Sequence, residues 1–168
     1  MFVFVACTKR QSPNSIPVSL AIPIVVVNKQ GQNLLDPATP DYFKDGDIKR
    51  YDLINGQIKL YHDDRDIRPD WNNGYHIVTP KEMGLSDDYN YRRFIRIYPN
   101  TERTEPNPTT TYIDWGRGNR DTLVCSMMKT DEGYYTITEE VWYNHEKVLP
   151  ATQSPDPAWP IGFLKIVK

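Results

Sequence analysis

The side chains most often used for nucleophilic catalysis or metal binding are scarce in this sequence, which has three histidines and two cysteines in 168 residues. His62, His76 and His145 are isolated, and none belongs to the His-x-x-x-His or Cys-x-x-Cys spacing of a zinc centre. A dyad of Cys125 with His76 or His145 would be chemically competent, because a histidine can deprotonate a neighbouring thiol. The sequence therefore predicts no metal site and leaves a cysteine–histidine enzyme as an alternative.

Cys125 itself lies in an alternating segment, residues 122–128, on the same side as Leu123 and Met127. A free cysteine among apolar neighbours behaves as a small hydrophobic side chain. We therefore predict that Cys125 fills the core and does not act as a nucleophile.

Glycoside hydrolysis requires a pair of carboxylates on either side of the scissile bond, and the sequence does not mark such a pair. Glu139 and Glu140 are neighbours on a predicted strand, so their side chains point to opposite faces and cannot flank one bond. Asp114 and Asp121 would have to be brought together by the fold. No spacing marks a catalytic residue, and we predict that the chain is not an enzyme. A hydrolase that uses Cys125 with a histidine, or a carboxylate pair, is the alternative.

Two acidic clusters, at residues 63–66 with Asp70 and at residues 87–88, offer the oxygen ligands that Ca²⁺ prefers. Neither cluster has the spacing of an EF-hand loop, and Arg65 and Arg68 are placed to pair with the first one. The sequence predicts solvated loops here and no cofactor.

Aromatic residues on the predicted strand 134–143 offer a candidate binding surface. Tyr134 and Trp142 share one face of that strand. The opposite face is the more apolar one: Tyr135, Ile137, Val141 and Tyr143. We expect the apolar face to point inward, which leaves Tyr134 and Trp142 as an outward platform for a sugar or a protein partner. Trp159 is the third candidate binding residue; alternatively, the loop that carries it covers the other two.

The elements that position these residues are predicted to be strands, because alternation with a period of two dominates and a sustained helical period is nearly absent. Fourteen prolines against nine glycines, with eleven tyrosines, indicate a loop-rich β protein. Hydrophobic residues make up 39% and charged residues 25%, which excludes a disordered tail and a multi-span membrane protein. The net charge of −2 argues against nucleic acid as a partner.

The sequence predicts about nine strands joined mostly by hairpins. Asn55-Gly56 is the strongest turn signal, since both residues can adopt the positive φ of a type I′ hairpin. Pro23 lacks an N–H donor and predicts that the first strand begins at an edge or carries a bulge. Such a set of strands favours two antiparallel sheets packed face to face, with a β-barrel as the alternative. The segments with strand character are residues 19–28, 48–54, 57–62, 75–79, 92–98, 110–115, 122–129, 134–143, 147–149 and 161–167.

An apolar run at residues 1–6 precedes Cys7 and a polar stretch. Six apolar residues are too few to span a bilayer, but they match the end of a secretory signal whose basic start is missing. A cysteine after a short apolar run and a small residue resembles the bacterial lipoprotein box, which implies that Cys7 carries lipid. Phe4 departs from the box, where leucine is usual. We predict a signal remnant at 1–6, a tether at 7–17 and one domain at 18–168; alternatively, residues 2–5 form a first strand.

Two longer stretches carry a family resemblance: residues 24–40, IVVVNKQGQNLLDPATP, and residues 112–123, YIDWGRGNRDTL. Together with residues 142–144, WYN, and residues 163–168, FLKIVK, they resemble small uncharacterised lipoproteins of gut Bacteroidetes. The resemblance implies an all-β, immunoglobulin-like antiparallel β-sandwich and brings no catalytic residue with it.

Two shorter motifs add to the resemblance. Residues 114–118, DWGRG, are similar to a turn of PKD-type sandwich domains, apart from Arg117, where an acidic residue is common. Surface-exposed Bacteroidetes lipoproteins tend to carry acidic residues after the lipidated cysteine, whereas Lys9 and Arg10 follow here. The resemblance therefore implies an outer-membrane anchor that faces the periplasm.

The sequence-based hypothesis is a cell-envelope protein that is held at the membrane by lipid on Cys7. Its single domain is expected to be a non-catalytic binding or structural module with a glycan or an envelope protein as partner. An assembly subunit that exchanges its amino-terminal strand is a further alternative.

Overall fold

The structure, a computed structural model, describes residues 21–62, 73–84, 93–101, 107–129, 135–148 and 163–168. These residues contain two 3₁₀ turns, Asp45–Asp47 and Lys81–Met83, and ten strands. In chain order the strands are β1 (Ile22–Val27), β2 (Lys49–Ile54), β3 (Gln57–Leu60), β4 (Tyr75–Val78), β5 (Phe94–Ile97), β6 (Thr109–Asp114), β7 (Arg120–Lys129), β8 (Tyr135–Tyr143), β9 (Glu146–Val148) and β10 (Leu164–Val167).

The strands form two sheets that pack on each other as a β-sandwich. The small sheet has the order β10-β1-β5-β4, and the large sheet has the order β3-β2-β6-β7-β8-β9. All pairings are antiparallel except β1 with β10, which is parallel. The structure therefore confirms the all-β sandwich, with two separate sheets in place of one closed barrel. The parallel pair is a departure from the antiparallel sheets that the sequence predicted.

One apolar core lies between the two sheets, and the alternation of side chains builds it. In β6 and β7 every second residue is buried, including Ile113, Leu123 and Cys125. Full burial of each large aliphatic side chain contributes about 1.5–3 kcal/mol. From the small sheet the same core receives Ile22, Ile24, Val26, Ile95, Ile97 and Ile166.

The small sheet is buried on its other face as well. Val25 and Val27 of β1 pack there with Val78 and Phe94, and the ring of Phe94 lies edge-on to Phe163 at 4.6 Å between centroids. Burial on both faces explains why β1 is a nearly continuous apolar run, as is usual for internal strands.

Turn residues adopt the conformations that their types favour. Asn55 and Gly56 have φ values of 52° and 72°, which confirms the predicted type I′ hairpin between β2 and β3. Pro23 lies near the start of β1, where the strand pairs with β5 alone and is locally an edge, as the sequence predicted. Pairing with β10 begins only at Ile24, so no β10 residue stands opposite Pro23 and its missing N–H is tolerated.

The pairing of β7 with β8 contains two register shifts, one between Ser126 and Met127 and one between Met128 and Lys129. Met127 consequently stands opposite Thr138 and not opposite Glu139. The β7–β8 ladder is therefore irregular beyond Ser126, and the predicted inward direction of Tyr135 and Ile137 concerns side chains that lie outside the described ones.

Candidate functional site

Of the predicted site residues, the structure describes Trp142. Cys7, Tyr134 and Trp159 lie outside the described residues, as do both acidic clusters considered for calcium. Within the described ranges, no group of three or more histidine, cysteine, aspartate or glutamate side chains could hold a metal ion. No helix in the same ranges is long and apolar enough to cross a membrane.

Cys125 occupies the centre of β7 and is fully buried, as predicted. Burial raises the pKa of its thiol to about 12, and the nearby Arg50 offsets this only partly. A nucleophilic cysteine needs a lowered pKa, so the surroundings of Cys125 are those of a core residue. His76 lies in β4 of the small sheet, and His145 lies in the exposed turn between β8 and β9.

We expect Cys125 in the native protein to resist alkylation by maleimide at pH 8, because the thiol is both buried and protonated. The same reagent should label Cys125 fully after denaturation, which serves as the control. Rapid labelling of the folded Cys7→Ser variant would contradict the core assignment and favour the cysteine-enzyme alternative.

The carboxylates considered for hydrolysis are not brought together. Asp114 and Asp121 lie on neighbouring strands, but Asp121 stands opposite the buried Ile113, whereas Asp114 stands opposite Arg120. Their side chains therefore point to opposite faces of the large sheet. Arg120 pairs with Asp114 on the outer side at 3.2 Å.

Asp121 is buried and its carboxylate accepts hydrogen bonds from four side chains. Oδ2 accepts from the indole Nε1 of Trp115 at 2.6 Å, from the hydroxyl of Tyr143 and from the ammonium of Lys168, and Oδ1 accepts from Nδ2 of Asn144 at 2.8 Å. Burial alone would raise the pKa of Asp121, but these hydrogen bonds outweigh it and lower the pKa.

Lys168 extends this cluster across the sandwich. Its ammonium also donates to Oδ1 of Asn119 at 2.8 Å, and its backbone N–H donates to the carbonyl of Val27 at 2.9 Å. The ion pair with Asp121 thus connects the end of β10 in the small sheet to the β6–β7 hairpin of the large sheet. A carboxylate with this many donors holds the fold together and is not free to act as a base.

A second buried polar cluster, which the sequence did not suggest, lies on the inner face of β2. Arg50 and Asp52 are 2% and 4% exposed, and Nη2 of Arg50 donates to both carboxylate oxygens at 2.8 and 2.6 Å. The guanidinium lies 3.9 Å from the ring centroid of Tyr61. Gly74, with φ of +70°, packs so closely that an added Cβ would be 2.2 Å from Nη1 of Arg50. The cluster is enclosed by protein and serves packing.

The outward side of the large sheet carries Ile58 and Leu60, two of the three large hydrophobic side chains that are exposed among the described residues. We define the outer face as the outward side chains of β2, β3, β6, β7, β8 and β9. Two register rows cross it. In the first row the cross-strand partners, from β3 to β7, are Leu60, Tyr51, Tyr112 and Thr122. The second row lies two residues further along the strands. It contains the partners Ile58 and Leu53 of β3 and β2 and the partners Thr110, Val124, Trp142 and Lys147 of β6 to β9.

Apolar and aromatic side chains dominate both rows of the outer face. Ile58 and Leu60 are 50% and 57% exposed, which is unusual for large hydrophobic residues. Tyr51, Tyr112 and Trp142 are half-buried. The structure thus places Trp142 on the outward side, as predicted, and adds two tyrosines from strands β2 and β6 that the sequence did not connect to it.

At two places on the outer face an aromatic ring lies beside an ion pair. Arg120 lies 4.7 Å from the ring centroid of Tyr51 and pairs with Asp114. Lys147 lies 5.7 Å from the ring centroid of Trp142 and pairs with Glu140. We call these two sets the Tyr51 trio (Tyr51, Arg120, Asp114) and the Trp142 trio (Trp142, Lys147, Glu140).

Comparison of the chain with protein-family models, with curated proteins and with solved structures gives no match.

Proposed function

We propose that the protein is a non-catalytic binding module of the cell envelope and that the outer face of its large sheet is the binding surface. The observation that carries this proposal is the pair of rows of apolar and aromatic side chains, which together cross β3, β2, β6, β7 and β8 and include the exposed Ile58 and Leu60. Exposed apolar patches on soluble domains usually mark interaction sites. By contrast, the outward side chains Val25 and Phe94 of the small sheet are buried.

The described residues favour binding over catalysis. The thiol of Cys125 is buried with a raised pKa, and the carboxylate of Asp121 is held by four donors. The aromatic residues of the outer face offer rigid contact area, which costs little conformational entropy on binding.

Location and fold family belong to the same proposal. The apolar run before Cys7 supports lipid attachment at that residue, and Lys9 and Arg10 after it support an outer-membrane anchor that faces the periplasm. The two-sheet architecture supports an immunoglobulin-like assignment, which rests on the resemblance of residues 24–40 and 112–123. Mass spectrometry of the protein from its own host tests the anchor: a chain without lipid on Cys7 would refute it.

Trp142→Ala should weaken binding of the full chain to the envelope fraction of the source cells by about tenfold or more, since an aromatic anchor contributes about 2 kcal/mol. Co-sedimentation of the Cys7→Ser chain with that fraction measures this effect without a contribution from lipid. Val167→Ala is the matched control, because Val167 is 59% exposed on β10 and lies outside the outer face.

Binding by Trp142→Ala that equals binding by the Val167→Ala control would refute the outer face as the binding surface. Thermal unfolding of both variants shows whether the fold is retained. If Trp142→Ala does not fold, Leu60→Ser applies the same test at an exposed position of the outer face.

A further inference from the structure

The two trios are built alike, although they come from different strands. In each, a half-buried aromatic ring lies beside a cation that is itself paired with a carboxylate. All six side chains point outward, because they alternate with buried residues such as Arg50, Ile113, Asp121 and Val141. The repetition of one arrangement at two places on the same surface points to a ligand that also repeats.

In each trio the cation and the carboxylate already form an ion pair with each other. Arg120 and Asp114 are 42% and 22% exposed, and Lys147 and Glu140 are 46% and 42% exposed, so both pairs contact solvent. A charged ligand would have to compete with the opposite charge that each of these side chains already contacts. An uncharged ligand that donates and accepts hydrogen bonds at adjacent atoms can bind them intact, and neighbouring hydroxyl groups of a sugar have this property.

The spacing of the trios requires a ligand longer than one sugar unit. Tyr51 on β2 and Trp142 on β8 are separated by β6 and β7, which places them about 14 Å apart across the sheet. They also lie in different register rows, offset by two residues, or about 7 Å along the strands. The surface between them carries Tyr112, Thr122 and Val124 and contains none of the described charged residues.

We propose that the ligand of the outer face is an uncharged, linear oligosaccharide that occupies two subsites, one at the Tyr51 trio and one at the Trp142 trio. The apolar face of one sugar ring packs on each aromatic ring, and its hydroxyl groups bond the adjacent ion pair. This inference rests on the proposed function, since it identifies the ligand class of the same surface.

The first experiment is affinity electrophoresis of the full-length Cys7→Ser chain through gels that contain xylan, β-glucan or galactomannan, with polygalacturonate as the anionic comparison. We expect at least one neutral polysaccharide to retard the protein and added salt not to abolish the effect. Retardation by polygalacturonate alone, lost on addition of salt, would overturn the assignment of an uncharged ligand.

The second experiment tests the two subsites. Tyr51→Ala and Trp142→Ala should each weaken binding of the long polysaccharide by about tenfold or more, and the double variant should not bind detectably. Asp114→Asn and Glu140→Gln test the same subsites if an aromatic variant fails to fold. Asp41→Asn is the control, because it removes an exposed ion pair with Arg117 away from the outer face. A disaccharide that binds as tightly as the polymer would overturn the second subsite.

The third experiment separates failure of this inference from failure of the proposed function. Periodate oxidises sugars by cleaving the carbon–carbon bond between carbons that carry neighbouring hydroxyls, so treatment of the envelope fraction with periodate should abolish binding, and protease treatment should not. Binding that survives periodate but not protease would overturn the oligosaccharide and leave the binding module intact. Absence of binding to the untreated fraction and to every polysaccharide would overturn both.

Discussion

Replacing Asp121 with asparagine should lower the free energy of unfolding by about 3–5 kcal/mol, because the change leaves the ammonium of Lys168 without its buried counter-charge. The same substitution weakens the hydrogen bonds that Trp115, Tyr143 and Asn144 donate to the carboxylate. Equilibrium unfolding in urea measures the loss. Asp114→Asn is the matched control, since its ion pair with Arg120 is solvent-exposed and should contribute less than about 1 kcal/mol.

Acid should reduce the stability of the wild-type protein through the same group. The pKa of Asp121 is lower in the folded protein than in the unfolded chain, so its contribution is fully present above the unfolded value, near 4. It is lost as the pH falls through the folded value. The stability difference between wild type and Asp121→Asn should therefore shrink below about pH 4. A difference that stays constant there would show that Asp121 does not act through its charge.

Removing one partner of the buried pair on β2 should have an effect of similar size. Arg50→Met leaves the Asp52 carboxylate buried without its counter-charge, although Thr111 still donates to it at 3.2 Å, and should cost about 3–5 kcal/mol. Asp52→Leu should cost a similar amount, since it leaves the guanidinium of Arg50 without its carboxylate.

The double variant Arg50→Met/Asp52→Leu should be more stable than either single variant, because it leaves no unpaired charge in the core. Nε of Arg50 has no hydrogen-bond partner among the described residues, which makes the native pair an imperfectly satisfied one. A double-mutant cycle in urea measures the coupling. Additive losses would mean that the two residues stabilise the sheet independently.

Strand positions were largely predictable from the sequence. Every predicted segment overlaps a strand whose ends lie within three residues of the expected ones. The turn at Asn55 and the burial of Cys125 are also confirmed. These features depend on side-chain alternation and on local backbone preferences, and both are determined by residues that are close together in the sequence.

The burial of Arg50 and Asp52 on β2 could not be predicted from the sequence, and the reason is physical. Each face of the strand Lys49–Ile54 carries both charged and apolar residues, and charged side chains on strands usually face solvent. Arg50 and Asp52 face inward because each neutralises the other and because Gly74 leaves room for the guanidinium. Neither condition is visible in a short window of sequence.

The residues of the candidate site were likewise only partly predictable from the sequence. The sequence placed Trp142 on an outward face, but it could not connect Trp142 with Tyr51, since they are separated by 91 positions in the numbering. The order and register of β2, β6, β7 and β8 bring them onto one surface. Likewise, only the position of β10 beside β1 lets Lys168 reach Asp121.

The sequence by itself determined where strands run, where they turn and which side of a strand such as β7 is apolar, because these properties arise from contacts between near neighbours. The tertiary structure alone decided sheet order, the parallel β1–β10 pair and the partners of Asp121 and Arg50. Those outcomes depend on which distant segments bury each other's side chains, and a one-residue change of register would exchange the two faces of a strand.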